Sequence, residues 1–205
     1  MAALRSQLEA TILAPEALEF AVGSGVMRYA KSRPQLPTEL EGLSGAALGL
    51  ASEAAASEPA QVMVALVLIA RGALDAAHDI VGDLDSAEAT YAHAIIHRRE
   101  GAASGEAGLP GYSNSRYWFS CLGDHPLFPQ VNAFVAAHPA APRALKARTD
   151  WNPAAFVECC EKSERAGSEE GLAFCVAVQQ REWELLFDWC AESAGVAGGG
   201  GAESR

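Results

Sequence analysis

Long hydrophobic runs are missing from this 205-residue chain: the longest uninterrupted apolar stretch, residues 62–70, has nine residues, where a membrane-spanning helix needs about 20. Basic charge is scarce as well. Fifteen Lys and Arg stand against 26 Asp and Glu, giving a net charge of −11 and a pI of about 4.9. That balance argues against nucleic acid and against an anionic membrane surface as general partners. The chain shows no basic-then-apolar leader, so no secretory signal is expected and the cytoplasm is the expected compartment. None of its five cysteines stands in a C-x-x-C spacing. An odd number without a secretion signal predicts free thiols, with Cys159, Cys160, Cys175 and Cys190 as small core residues rather than zinc ligands. There is no G-x-S-x-G, no phosphate loop and no dinucleotide fingerprint. Ser120-Cys121 and Cys159-Cys160 have no His at a meaningful spacing, which leaves nucleophilic catalysis without a candidate. Runs of alternating β-branched residues are absent too, so nothing points to a sheet.

What is present points to helix. Half of the residues are hydrophobic, enough for a sizeable core, and Ala, Leu and Glu abound. The expected fold is all-α, a single-domain helical bundle with a buried central helix. The domain is expected to cover residues 1–195, with peripheral helices and loops over 1–56 and the core bundle over 57–193. Residues 196–205, with four consecutive glycines, are expected to be a flexible tail. Short amphipathic helices are expected at 4–13 and 16–30, then a breaker at 32–37 with two prolines. The central helix is expected from the Ser57 cap, with Pro59 in its first turn, through to about residue 80, with Gly82 ending it. Asp85 and Glu88 give a capping-box pattern for a helix over 86–99. Ser113 or Asn114 would open a short helix through Phe119 and Cys121. Further helices are expected at 128–137 and 142–148, at 152–165 behind Asn152-Pro153, and at 169–193.

One stretch concentrates chemistry: His93-Ala94-Ile95-Ile96-His97-Arg98-Arg99-Glu100, followed after a Gly-rich loop by Tyr112-Ser113-Asn114-Ser115-Arg116-Tyr117-Trp118-Phe119. On a helix His93, His97 and Glu100 fall at i, i+4 and i+7 and share one face. Two His at i, i+4 are a metal-gripping spacing, although Ala94 breaks any H-E-x-x-H pattern. His78 would lie at nearly the same depth on an antiparallel neighbour, and facing helices are how bundles assemble metal sites. Asp75 or Asp79 could orient a ring, and His125 is a further His whose loop position the sequence does not place. The metal set is therefore His78, His93, His97 and Glu100, suited to zinc, iron or manganese. Each residue also has a plain reading. A His in so apolar a helix can be a core residue with a hydrogen-bond partner. Arg98 and Arg99 can simply meet the helix dipole, Asn114 can be an N-cap, and the aromatics can be core. Against that, residues 91–125 carry three Arg, no Lys and three acids, so this window is neutral in an acidic chain. Arg98, Arg99, Asn114, Arg116 and Tyr117 are the candidate contacts to a small anionic ligand, with Arg98 and Arg99 directed away from the His face.

The block from Tyr91 to Glu100, the Asn114–Phe119 segment and Gly123-Asp124-His125-Pro126-Leu127-Phe128 together resemble a family of bacterial, fungal and algal proteins. Its members share W-H-x-I-x-H-R-R-E, N-x-x-Y-W-F and G-x-H-P-x-F. The segment Gln180-Arg181-Glu182-Trp183-Glu184-Leu185-Leu186-Phe187-Asp188-Trp189-Cys190 is similar to that family's last helix. The resemblance spans residues 74–190 and implies a functional cluster without implying an activity. Ala92 stands where the family has Trp, and the loop over 102–108 is longer. Two functions remain in view: a metal-dependent protein of the hydrolase or oxygenase kind, or a non-enzymatic helical module whose His-Arg-aromatic cluster is a structural polar network.

Overall fold

A computed structural model describes residues 38–102 and 110–195. The helices expected at 4–13 and 16–30 and the tail at 196–205 lie outside the described residues. Among the described residues there are nine α-helices and no strand. They are α1 (Ser52–Ala55), α2 (Glu58–Ala70), α3 (Leu74–Val81), α4 (Ala87–Glu100), α5 (Gly111–Leu122), α6 (Phe128–Ala137), α7 (Arg143–Lys146), α8 (Pro153–Ala166) and α9 (Glu169–Ser193). A 3₁₀ turn at Thr38–Leu40 precedes them. The all-α bundle with a buried central helix is what the sequence predicts.

Local chemistry sets most boundaries. Ser57 Oγ accepts from Ala60 N–H to open α2, Asn152 Oδ1 accepts from Ala155 N–H to open α8, and Ser168 Oγ accepts from Gly171 N–H to open α9. Each satisfies an N–H that a helix start leaves orphaned. At α4 the cap is Ser86, whose Oγ accepts from Ala89 N–H at 3.2 Å, rather than Asp85. Glu88 is taken elsewhere, accepting from Trp189 Nε1 at 2.7 Å.

The expected helix over 57–80 is in fact two helices. α2 stops at Ala70 because Gly72 adopts φ 73°, with its N–H on Ile69 O and Ala73 N–H on Leu68 O. This pair of bonds is the Schellman closure, which requires a left-handed residue just past the helix end. The chain then restarts as the eight-residue α3. On α3, His78 lies against α4, its Nε2 2.9 Å from that of His93.

α2 is apolar on all sides, and ten of its 13 residues are buried. α4 is just as enclosed: every residue from Tyr91 to Glu100 is buried, five of them aliphatic or Tyr and the other five His, Arg and Glu. Trp183 on α9 donates its indole N–H to Leu66 O at 2.7 Å, pinning α9 to α2. α5 lies closest to α4 at Gly111. A Cβ there would sit 2.5 Å from His97 O and 2.6 Å from Glu100 Cβ, so only glycine permits the approach. Ser115, one turn on, donates its hydroxyl to Ala94 O at 2.8 Å. The N-terminal half of α5 thereby lies directly on the His-bearing end of α4.

Candidate metal centre

Three imidazoles meet between α3, α4 and α5. His93 and His97 come from one face of α4, one turn apart, and His78 comes from α3. Their ligand nitrogens all lie within 4.8 Å of one another, and this is the one such group of three or more metal-ligand side chains among the described residues. His93 and His97 are 5% and 1% exposed, and His78 is half-buried. The His78 and His93 Nε2 atoms are 2.9 Å apart, so in the neutral state one ring donates to the other. The Trp118 indole stacks on His93 at a centroid distance of 3.8 Å.

His97 is oriented from behind. Its Nδ1 lies 2.6 Å from Glu100 Oε2, both groups being 1% exposed. The carboxylate holds the proton on Nδ1 and leaves the Nε2 lone pair for the cluster, the arrangement by which outer carboxylates fix metal-ligating imidazoles. Glu100 was expected beside the His residues as a ligand. It stands instead behind His97, because three residues along a helix bring its carboxylate back onto the ring of its own neighbour. The Asn114 Nδ2 lies 3.1 Å from His97 Nε2 and 3.2 Å from Nδ1. Asn114 is therefore not a helix cap: α5 starts three residues earlier with no side-chain cap, and its amide serves the His97 ring.

The electrostatics suit a cation ligated by neutral rings. Burial pulls the His93 pKa down to about 3, and the neighbouring His78 and His97 push the same way. His93 thus keeps its lone pair well into acid. The donor set fits one divalent ion in type and spacing. Tetrahedral ligation at about 2.0–2.1 Å separates ligand nitrogens by roughly 3.4 Å, and the present separations bracket that value.

The arginines lie apart from this cluster. The Arg98 guanidinium, 0% exposed, donates from Nη2 to Glu182 Oε2 at 2.6 Å and from Nε to Gln179 Oε1 at 2.8 Å. Tyr91 OH donates to the other Glu182 oxygen at 2.8 Å. Phe156 and Phe119 lie against the guanidinium, 4.8 and 5.6 Å from its carbon. Burial lowers the Arg98 proton affinity, but Glu182, with Cys160 and Tyr91 adding to it, more than reverses this, and the net shift is upward. Arg99, also 0% exposed, donates to Ile69 O. Both were expected either as contacts to an anionic ligand or as cations meeting the helix dipole; both stand in the last turn of α4, with head groups enclosed by α9 and α2 rather than facing a ligand site. Arg116 pairs with Glu161 on α8 at 3.1 Å. Tyr117 is 58% exposed and sits edge-on to Trp118. His125 does not join the cluster: it packs against Tyr91, Phe128 and Trp189.

Sequence reasoning counts Trp118 among pocket or core aromatics and gives it no partner. The signal was present in its spacing: Asn114 and Trp118 lie at i, i+4, so one face of α5 meets both His97 and His93. Glu182 carried only the signal of an acid within the apolar pattern of the last helix.

Fold and site together define an all-α bundle with a buried three-His cluster. No protein-family model, curated protein or solved structure matches the chain.

Proposed function

We propose that His78, His93 and His97 hold one divalent transition metal, and that the protein is a metal-dependent enzyme of the hydrolase or oxygenase kind. The observation that carries this reading is the convergence of three ring nitrogens within 4.8 Å, from two helices, in a buried site. Three neutral imidazoles suit zinc, iron or manganese and leave a position for water or substrate. A metal so held supplies Lewis-acid polarisation of a substrate oxygen and easier loss of a proton from water. Glu100 holds the His97 tautomer, Trp118 covers His93, and Asn114 supplies an amide beside His97 Nε2. The likeness to the W-H-x-I-x-H-R-R-E family is part of the same proposal: its H-x-x-x-H-R-R-E string combines two ligands, one tautomer-holding carboxylate and two buried structural arginines. Since Arg98 and Arg99 are enclosed, the reading carries no anionic-substrate requirement.

Metal analysis of protein purified without an affinity tag or chelator tests it. Near-stoichiometric zinc would favour hydrolysis, and iron or manganese would favour oxygenation. No bound metal, together with no rise in melting temperature on adding zinc, iron(II) or manganese, defeats the reading. The 2.9 Å contact between His78 and His93 Nε2 favours a second reading, a structural hydrogen-bonded network. Under that reading His93→Ala/His97→Ala unfolds the protein rather than removing a metal.

A further inference from the structure

An ion can reach three enclosed nitrogens only past the groups that cover them. The His93 and His97 rings stack, with centroids 4.9 Å apart and planes 29° from parallel. Trp118 extends the stack, lying 3.8 Å from His93 at 19°. Asn114 Nδ2 is 3.1 and 3.2 Å from the two His97 ring nitrogens. A nitrogen so placed in the ring plane would collide with the Cε1–H between them, so the amide sits over the face of the ring. An imidazole lone pair lies in the plane of its ring. Trp118 and Asn114 therefore cover faces of the stack and leave its nitrogen edge to another group.

What stands at that edge, among the described residues, is His78. Its ring meets His93 and His97 edge-on, at 82° and 74°, with centroids 4.4 and 5.3 Å away, and its Nε2 is 2.9 Å from that of His93. The three rings are not equally enclosed: His93 and His97 are 5% and 1% exposed, whereas His78 is half-buried. Nor do they share one support. The α4 rings project from a 14-residue helix capped by Ser86, while His78 projects from an eight-residue helix whose N-cap residue, Ala73, makes no side-chain cap bond. Short helices hold less firmly by themselves, and local opening concentrates in such segments. Metal binding itself demands a movement here. The 2.9 Å between the His78 and His93 nitrogens must widen to roughly 3.4 Å if both are to ligate one tetrahedral ion. His93 is enclosed and His78 has solvent beside it, so His78 is the ring with room to withdraw.

We propose that His78 is the exchangeable ligand of this centre: the ion enters and leaves past it, His93 and His97 are the fixed pair, and a small neutral donor from solvent can take its place. This inference rests on the metal reading and adds to it which ligand moves.

Cobalt(II) is the probe, because its visible absorption reports its ligands. The metal-free full chain is titrated with it as wild type, His78→Gly and His97→Gly, each with and without millimolar imidazole. A wild type that takes up no cobalt(II) defeats the metal reading and this inference with it. Given uptake, His78→Gly is expected to bind at least about tenfold more weakly, the loss typical even of a residue that only orients a ligand. Imidazole is expected to restore most of that loss. His97→Gly is expected to gain no more from imidazole than the wild type does, because the place it leaves is 1% exposed. Should glycine melt α3, His78→Ala supplies a second measurement: with its helical circular dichroism kept, it is expected to release cobalt(II) to EDTA at least about tenfold faster than the wild type. No imidazole rescue of a folded His78→Gly, rescue of His97→Gly to the same degree, or an unchanged release rate from His78→Ala overturns the proposal and leaves the metal reading standing.

Discussion

α4 carries two buried polar clusters on different faces, and they are built on opposite principles. Around Arg98, a cation meets a carboxylate, a phenol completes the carboxylate and an amide takes a second guanidinium nitrogen. Opposite charges close that cluster from within the protein, with one guanidinium nitrogen, Nη1, left against aromatic faces. Around His93, three imidazoles converge, and each becomes a cation on protonation. The Glu100 carboxylate is hydrogen-bonded to the outer nitrogen of His97. His93 and His97 are almost as enclosed as the Arg98 cluster, while His78 is half-buried. What differs is what converges: opposite charges around Arg98, ring nitrogens of one kind around His93. Buried polar residues are therefore a poor guide to a site until their kinds are compared: the Arg98 cluster is fastening, and the His cluster gathers metal-ligand nitrogens within 4.8 Å of one another.

The comparison breaks first at its closed end. Glu182→Ala leaves a buried guanidinium uncompensated and is expected to destabilise the fold by about 3–5 kcal/mol in urea unfolding. The double variant Arg98→Met/Glu182→Met removes both charges and is expected to recover most of that loss. If Glu182→Ala melts like the wild type, the ion pair does not fasten the bundle. At the open end, stripping the metal with a chelator is expected to lower stability by about 2.7 kcal/mol from a state holding free metal at one hundred times its Kd. His93→Ala/His97→Ala should abolish that chelator effect, with the helical circular dichroism kept. Equal chelator sensitivity of variant and wild type would place the metal elsewhere.

A smaller effect is expected at the seam between the clusters. Gly111→Ala puts a methyl against His97 O and Glu100 Cβ, and should destabilise by about 1–3 kcal/mol while weakening metal retention through the displaced Glu100. Unchanged melting would mean that α5 stands off from α4. Acid offers a finer probe of the metal-free protein. His93 titrates near 3 when folded against an ordinary value of 6.5, so below 6.5 the unfolded chain binds the extra proton. Its contribution to stability is complete above about pH 6.5 and is lost as pH falls toward 3. His93→Gln should flatten that part of the stability profile, and an identical profile in the variant would contradict the burial of His93. The least effect belongs to Arg116→Ala. Its pair with Glu161 is 36% and 29% exposed, and the change should stay within about 0.5 kcal/mol.

How much of this was legible in the sequence follows from how local each cause is. Ser57, Asn152-Pro153 and the bounds of α6 and α9 could be read because a cap, or at α6 a first-turn proline, and a few following residues decide them. His93, His97 and Glu100 shared a face as spacing required, and His78 met them as a hairpin depth argument suggested. The break at Gly72 was misread because the apolar pattern runs on past it, although a glycine behind Arg71 is itself a helix-stop signal. Arg98 was misread for a different reason. Its partner Glu182 lies 84 residues away, and no local rule tells a buried arginine from one at an exposed helix end. Glu100 was given the right neighbourhood but the wrong distance from the centre, since spacing alone cannot separate a ligand from a residue that orients one.

Those sequence separations also bear on the order of folding. His78 and His93 are 15 residues apart, within a single helical hairpin, while Arg98 and Glu182 are 84 apart. Loop closure grows costlier with length, and contacts between distant segments form late. The helical hairpin of α3 and α4 should therefore bring its three imidazoles together before α9 docks. For a time the nascent chain would hold a ligating hairpin and a bare arginine, and a metal captured at that stage would act as a folding nucleus rather than as a late addition.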